Sequence, residues 1–551
     1  MKSNSAVLTA IDEAPEGTWV WGLNRRQGAI LAGILIASVL IYLPSLRNGW
    51  VFDDWEIFVN NKYLHPFWSF IWNSFRYDAW WFRNPKVLPE SAYYRPVENV
   101  FIAAGALLMG NHPAAWHLAK IVLHLVTVML CFRAAQLLTG DVAVALLTAA
   151  IFGLAPAHVD AVAWISAISE PLSTAFALGA LCCFIKRKPG LLGMLSALAL
   201  YTCALLTHET AVLFPLIIAA YVFLIERTTN QQLPRSRRDA DTIWNRGLAA
   251  ARASVPFAVL ALVYFCVRIE VLGFAIARRI RPAPPAIFWT PPPTHHLGTP
   301  LDYLLTLPVV LMTDLGVLAV PGIAGPVHDV NWITSPSAIS FVAAGVVAIF
   351  LALALTLVLR SSTSDRRLYL FCAAWSLLAL APAMKLDSIW APVQDRYLYS
   401  VSFGWSLALA VAAMRLAAVS PRARSAVGTV TALLLAAYMV TAIRIQHYWH
   451  DDVTFFQECL AVDPVRGEFR RRLADAMDKV GDYKGAARVV EDGSALDPDD
   501  IYLHLRLEQE YMRLGRTKDF EREFETVDKL THPLMAVPGA AESVTHPDSA
   551  P

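Results

Sequence analysis

The sequence predicts a mainly α, polytopic membrane protein with about eleven transmembrane helices, followed by an α-helical repeat domain. Three observations carry that prediction. Of 551 residues, 56% are hydrophobic and only 17% are charged, where soluble domains carry about 25% charged residues. The apolar residues gather in runs such as 28–46, 116–138, 337–359 and 425–443, each long enough for the roughly 20 residues that cross a bilayer core. After Arg444 the composition turns charged and repeats itself. The first two observations exclude a single soluble globular protein, and a net charge of +1 leaves no electrostatic footprint for nucleic acid.

Orientation follows from the basic loops, because short cytoplasmic loops accumulate Lys and Arg. The polar residues 1–27 end on Arg25-Arg26 and precede an apolar run without a small-residue cleavage pattern. They read as a cytoplasmic segment before an uncleaved first span. Further clusters stand at Lys186-Arg187-Lys188, Arg235 with Arg237-Arg238, Arg360 with Arg366-Arg367, and Arg415 with Arg422 and Arg424. If all are cytoplasmic, an even number of crossings separates each pair. Spans at 28–46, 116–138, 142–156 and 171–185 satisfy the first interval, which leaves 97–110, several residues short of a span, as a helix in the outer interface. Pairs at 190–207 and 209–226, 252–273 and 337–359, and 368–385 and 397–414 follow. The stretch 303–320, interrupted by Pro308 and Asp314, reads as re-entrant or interfacial, and 425–443 carries the C-terminal region outside. The transmembrane domain is thus 28–443, with outer loops at 47–115 and 274–336.

The first outer loop holds Trp50, Trp55, Trp68, Trp72, Trp80 and Trp81 among charges, a composition suited to resting on the membrane interface. The second carries Arg278, Arg279, Arg281 and Pro291-Pro292-Pro293, which suggests an ordered non-helical loop. Six of the seven cysteines lie in apolar runs without metal or redox spacing, so neither a disulfide framework nor a zinc site is expected. In 444–531, Asp463-Pro464 recurs as Asp497-Pro498, Leu473 as Leu507 and Gly481 as Gly515. That period is the one tetratricopeptide repeats show, with Gly at the tight turn and Pro ending the second helix. Residues 532–551 read as a disordered tail.

Parity also sorts the polar residues near span ends. Asp53, Asp54, Arg95, His158, Asp160, Glu170, His208, Glu209, Asp395 and Arg396 all fall on the outer side. Ionisable groups at an apolar boundary are costly and commonly mark a site. A carboxylate pair with nearby cations suits transfer between a phosphate-bearing donor and a hydroxyl acceptor, one carboxylate acting as base while the cations hold phosphate. Purely structural roles are open as well: His158, Asp160 and Glu170 could form a hydrogen-bonded network that seats a loop. Asp53-Asp54 could cap a helix, Arg396 could bridge Asp395, and His208-Glu209 could start a helix. Tyr397 and Tyr399 read as interface anchors, while His447, His450, Asp451 and Asp452 read as a solvated linker. No cofactor is expected, and the sequence leaves assistance by a divalent metal open.

The stretch Asn48 to Asn61, NGWVFDDWEIFVNN, resembles the first outer loop of the transmembrane and tetratricopeptide-repeat O-mannosyltransferases and their bacterial relatives. Tyr94-Arg95-Pro96, Trp116-His117, Leu123-His124, the segment from Pro156 through His158 and Asp160 to Trp164, and Gln394 to Tyr399 are similar to that family too. The resemblance runs from about Gly28 to Leu530. It implies a GT-C class membrane glycosyltransferase that takes a hexose, mannose foremost, from a polyprenyl-phosphate donor and passes it with inversion to an acceptor hydroxyl outside. It implies further that Asp53 is the base and Asp54 an orienting or binding residue. The repeats would then hold a protein or glycan acceptor, in a bacterial inner membrane with the repeats in the periplasm or in the endoplasmic reticulum. The family often carries a His where this chain has Ala155, a cation near Ile168 and a Lys at His208. Arg95, Arg396 and the Arg278, Arg279, Arg281 group are candidates to compensate. The competing expectation is a non-catalytic envelope scaffold that binds proteins through its repeats.

Overall fold

The computed structural model describes residues 20–86, 89–185, 190–226, 243–273, 299–330, 332–384 and 393–535. Every regular element among them is helical. Arg278, Arg279, Arg281, the Pro291-Pro292-Pro293 run, the basic clusters at 186–188 and 235–238, and the end of the expected tail lie outside the described residues. The chain packs into two compact units, the second built chiefly from Tyr448 onward.

In the first unit, local chemistry sets the helix ends. Helix α1 (Arg25–Tyr42) opens on a capping box, in which Asn24 accepts from the Gln27 amide while Gln27 returns a bond to the Asn24 amide. Helix α2 (Phe67–Arg76) is amphipathic, α3 (Pro96–Met109) and α4 (Pro113–Thr139) each begin on a proline, and Gly140 ends α4 at φ 69°. Asp141 then caps α5 (Val142–Leu154) through the Ala143 and Val144 amides. The lipid requirement is visible in exposure. The most apolar windows of Ala338–Arg360 and Pro421–Trp449 are only 6% and 11% buried, a surface that water would not tolerate. This is an integral, multi-pass membrane protein. Seven helices among the described residues are long and apolar enough to cross a bilayer, or eight when a bent pair counts as one.

Three stretches differ from expectation. The helix at Pro300–Ala319 runs unbroken through Pro308 and is long and apolar enough to span, so the expected interruption is absent. Pro308 removes one backbone hydrogen bond without ending the helix, and Asp314 is buried. The run expected to span at 142–156 instead bends by 56° between α5 and Pro156–Ala163, where the proline lacks an amide to continue the ladder. Residues 209–226 divide into a 3₁₀ turn, Glu209–Leu213, and the short helix Phe214–Leu224.

The first outer loop folds on its own aromatics. Trp50, Phe58, Phe70, Trp81 and Phe82 form a buried cluster with Trp116 of α4, while Trp68 and Trp72 stay exposed on α2. The tryptophans are thus divided between the core of a folded loop and its surface. Elsewhere, Leu398–Ala417 crosses Thr363–Leu380 closely at Gly404, where an added Cβ would meet the Cys372 carbonyl and the Ser376 hydroxyl at 2.5 Å. Gly404→Val is expected to cost about 1–3 kcal/mol through overpacking, read as a lower melting temperature of the solubilised chain.

The second unit is a succession of antiparallel helices: Asp452–Val462, Gly467–Lys479, Tyr483–Leu496, Ile501–Arg513 and Thr517–Met535. Repeat-related residues occupy matching places in it. Gly481 and Gly515 make the turns at φ 84° and 68°, which a side chain would strain. Leu473 and Leu507 are both buried, the latter in a core with Ala474, Ala486, Val490 and Tyr511. The last helix continues through Met535, into the stretch expected to be disordered. Asp451 caps the first of these helices and Asp452 pairs with Lys479 at 2.9 Å, so both carboxylates have structural work here.

Candidate active site

The site begins at a strained turn. Phe52 sits at φ 55°, an uncommon conformation for a bulky residue that needs support from its surroundings. The support comes from the segment after the bent helix, where the Trp164 indole donates to the Val51 carbonyl at 3.2 Å. Asp54, 1% exposed, is held from both sides. Its Oδ2 accepts from the Val51 amide at 3.0 Å, and its Oδ1 accepts from the Ser166 amide at 2.8 Å and from the Ser166 hydroxyl. Asp53, the preceding residue, is only half-buried.

A second strand of the site rises from the other end of the first loop. Buried Asp78 accepts from the Trp80, Glu90 and Ser91 amides, closing the loop just before Arg95. The Val97 amide then donates to the Leu206 carbonyl at 3.0 Å, which brings Arg95 beside His208 and Glu209. Arg95 donates to Glu209 Oε2 at 2.9 and 3.1 Å, lies 3.6 Å from Glu98, and reaches the Ser169 hydroxyl at 3.4 Å. Ser169 in turn donates to Glu170 at 3.0 Å.

Glu170 links these groups to the third segment. Its Oε1 is 3.7 Å from His208 Nε2 and 3.5 Å from Arg396 Nε. Arg396 also donates to Asp160 Oδ2, from its backbone amide at 3.2 Å and its guanidinium at 3.3 Å. Its guanidinium stacks over the Trp164 ring at 4.9 Å, and the charge of Asp53 acts on it. Residues that loop parity placed on one side of the membrane therefore share one partly enclosed ionic cluster. In it Asp53, Asp54, Glu98, Asp160, Glu170 and Glu209 outnumber the cations Arg95, Lys120 and Arg396.

Burial governs protonation in such a cluster. It pushes Asp54 up to about 7, against the pull of the Ser166 and Val51 donors, and pushes Glu98 to about 7 against the nearby Arg95. A raised carboxylate pKa favours the folded state while the group is protonated. Asp54's contribution is therefore full below about pH 4, its unfolded value, and is lost as pH rises through 7. Melting temperature is expected to fall over that window, and Asp54→Asn, a neutral stand-in for the protonated acid, is expected to flatten the part of the slope that Asp54 supplies.

Some expected site residues go elsewhere. His158 faces inward, its Nε2 2.6 Å from the Ser402 hydroxyl and its ring packed on Phe152 and Tyr399, because the bend at Pro156 turns it away from the ionic cluster. Asp395 accepts from the Gly325 amide at 2.8 Å while its charge still acts on Asp160, so it stands at the edge of the cluster. Tyr399 is fully buried and bonds His124 at 2.8 Å, so it is a core residue and not an interface anchor. Lys120, Glu98 and Ser166 join the site beyond the residues expected from the sequence. Lys120 had a usable signal, a charge inside the apolar run 116–138, which holds one other, Arg133. Among the described residues no three His, Cys, Asp or Glu side chains gather as metal ligands do.

The fold and this cluster define a polytopic α-helical membrane protein with an ionic site where its loops meet the helix ends. Over most of its length the chain is similar to the transmembrane and tetratricopeptide-repeat protein O-mannosyl-transferases. It is 23% identical over 522 residues to human protein O-mannosyl-transferase TMTC3, covering 91% of this chain and 55% of that protein. It is 24% identical to Drosophila melanogaster Tmtc3, covering 89% and 58%. To mouse TMTC1 it is 31% identical over 200 residues, which are 33% of this chain and 20% of that protein. The chain spans little more than half the length of the relatives it matches most fully. Among solved structures it is similar to an Archaeoglobus fulgidus oligosaccharyltransferase, with a TM-score of 0.41 and 12% identity over 80% of this chain and 58% of that one. It is also similar to ArnT from Cupriavidus metallidurans bound to undecaprenyl phosphate, with a TM-score of 0.38 and 13% identity over 93% and 80%. No family model matches the chain.

Proposed function

We propose that the chain is an inverting GT-C type membrane glycosyltransferase. It moves a hexose, mannose by its likeness to proteins named as O-mannosyl-transferases, from a polyprenyl-phosphate donor to an acceptor hydroxyl such as a protein Ser or Thr. One observation carries the reading: half-buried Asp53 beside an Asp54 whose two oxygens are already engaged. A base must be reachable and ionised, and Asp53 meets the first requirement better than its neighbour. Asp53 takes the acceptor's hydroxyl proton as the acceptor oxygen bonds to the anomeric carbon. The bond from that carbon to the phosphate oxygen breaks, its electron pair leaves with the polyprenyl phosphate, and the configuration inverts. Arg396 and Arg95, each held by a carboxylate of the cluster, meet the charge that develops on the leaving phosphate.

The helix pairs after Tyr448 are read as tetratricopeptide-type repeats that hold the acceptor, since concave helical repeats bind extended segments. Chemistry takes place on the outer or lumenal face, with a bacterial inner membrane and periplasmic repeats the favoured setting. The test is turnover by the full chain in nanodiscs with radiolabelled polyprenyl-phosphate mannose or, separately, a nucleotide-linked mannose. Label transfer from the lipid donor alone supports the reading, and transfer from the nucleotide sugar alone overturns it. Because guanidinium groups receive the phosphate, EDTA is expected to leave the rate unchanged within twofold, and restoration by added Mn²⁺ after a loss would overturn that assignment.

A further inference from the structure

Lys120 lies on α4, 2% exposed, with one hydrogen bond among the described residues: its ammonium donates to the Ala167 carbonyl. A buried ammonium held by a single carbonyl is costly, so the surroundings must repay it. Glu170, Asp54, Asp160 and Glu98 act on it from other elements and offset part of that cost, while His117 and His124 lie on its own helix.

The position of Ala167 gives that bond its meaning. Between Trp164 and Glu170 the chain makes several of the links that assemble the site. Trp164 fixes Val51, Ser166 clamps Asp54, Ser169 meets Arg95, and Glu170 meets Arg396 and His208. Ala167 sits at the centre of this run, so a bond from a rigid span to its carbonyl fixes the level of the whole segment against the first loop.

We propose that Lys120 is a positioning residue: it holds the 164–170 segment in register with the Asp53-Asp54 turn and sets the electrostatic balance of the carboxylates that converge there. The proposal rests on the glycosyltransferase reading for its rate effects but not for its structural effect. Gln at position 120 keeps an N–H donor without the charge, Arg keeps the charge, and Met keeps neither. Removing a cation makes neighbouring carboxylates hold their protons to higher pH, so the acid limb of the rate profile moves upward.

The experiment measures Lys120→Gln, Lys120→Arg and Lys120→Met full chains in nanodiscs by hydrogen exchange of the 160–170 peptides and by pH–rate profiles with polyprenyl-phosphate mannose. In Met, exchange in 160–170 is expected to rise at least tenfold while 467–513 is unchanged. In Gln, protection is kept, kcat falls with donor KM within twofold, and the acid limb moves up by about one pH unit. In Arg, the limb stays where the native chain has it. Native-like exchange in Met overturns the positioning role, and a rise in donor KM at constant kcat in Gln assigns Lys120 to the donor phosphate instead and overturns it too. If the native chain and Asp53→Asn are equally inactive, the glycosyltransferase reading fails, and the exchange result decides the Lys120 proposal alone.

Discussion

Asp53→Asn is expected to lower kcat about 10²- to 10⁴-fold, the range removed with a general base, with donor KM changed less than threefold. Asn keeps the size and polarity of the side chain but cannot take the acceptor's proton. Asp54→Asn is expected to behave differently. Its amide nitrogen cannot accept one of the bonds that Val51 and Ser166 donate, so one donor is left without its acceptor. The expected result is a smaller fall in kcat, with faster hydrogen exchange around 51–55. An equal effect of the two substitutions, or a larger one at Asp54, would reverse the assignment within the pair. Stopped assays with the lipid donor, run on chains of matched folding, separate these outcomes.

Arg396→Met is expected to be as damaging by another route. The guanidinium is mostly enclosed and bridges Asp160 and Glu170, and removing one partner of a buried pair costs about 3–5 kcal/mol because the stranded carboxylate stays buried. Transfer is expected to fall about 10²- to 10³-fold as well, the loss typical when one stabilising donor is removed from developing charge. Adding Asp160→Asn separates the two effects. It removes one stranded charge, so the double variant recovers part of the melting temperature while transfer remains low. Recovery of transfer along with stability would show that Arg396 acts only as a structural bridge. Failure of the second substitution to restore any stability would show that the Asp160 pair is not what holds the segment.

Much of this site was legible in the sequence because the physics that betrays it is local. A charge beside a long apolar run is expensive, so Asp53, Arg95, Glu170, His208 and Arg396 stood out against their neighbours, and loop parity put them on one side. The 34-residue recurrence of Gly481 at Gly515 and of Leu473 at Leu507 likewise marks positions that a helix pair must repeat. What escaped depends on geometry that a linear pattern does not carry. The direction of His158 is set by the 56° bend at Pro156, and no periodicity announces which way a residue faces after a break. Ser166 gains importance only because a distant turn delivers Asp54 to it. Pro308 does not end its helix, since a helix with neighbours along its length absorbs one missing amide. Lys120 lies inside a hydrophobic run, where a buried charge is itself a signal.

In the proposed reaction a hexose leaves a lipid phosphate beside Asp53. The most direct test is mass spectrometry of glycoproteins and glycans from cells carrying no copy, the native copy, or an equally abundant Asp53→Asn copy. That reaction predicts a hexose modification that is missing without the chain, restored by the native copy and not restored by Asp53→Asn. Full restoration by Asp53→Asn would contradict it and leave the membrane scaffold with protein-binding repeats as the better account.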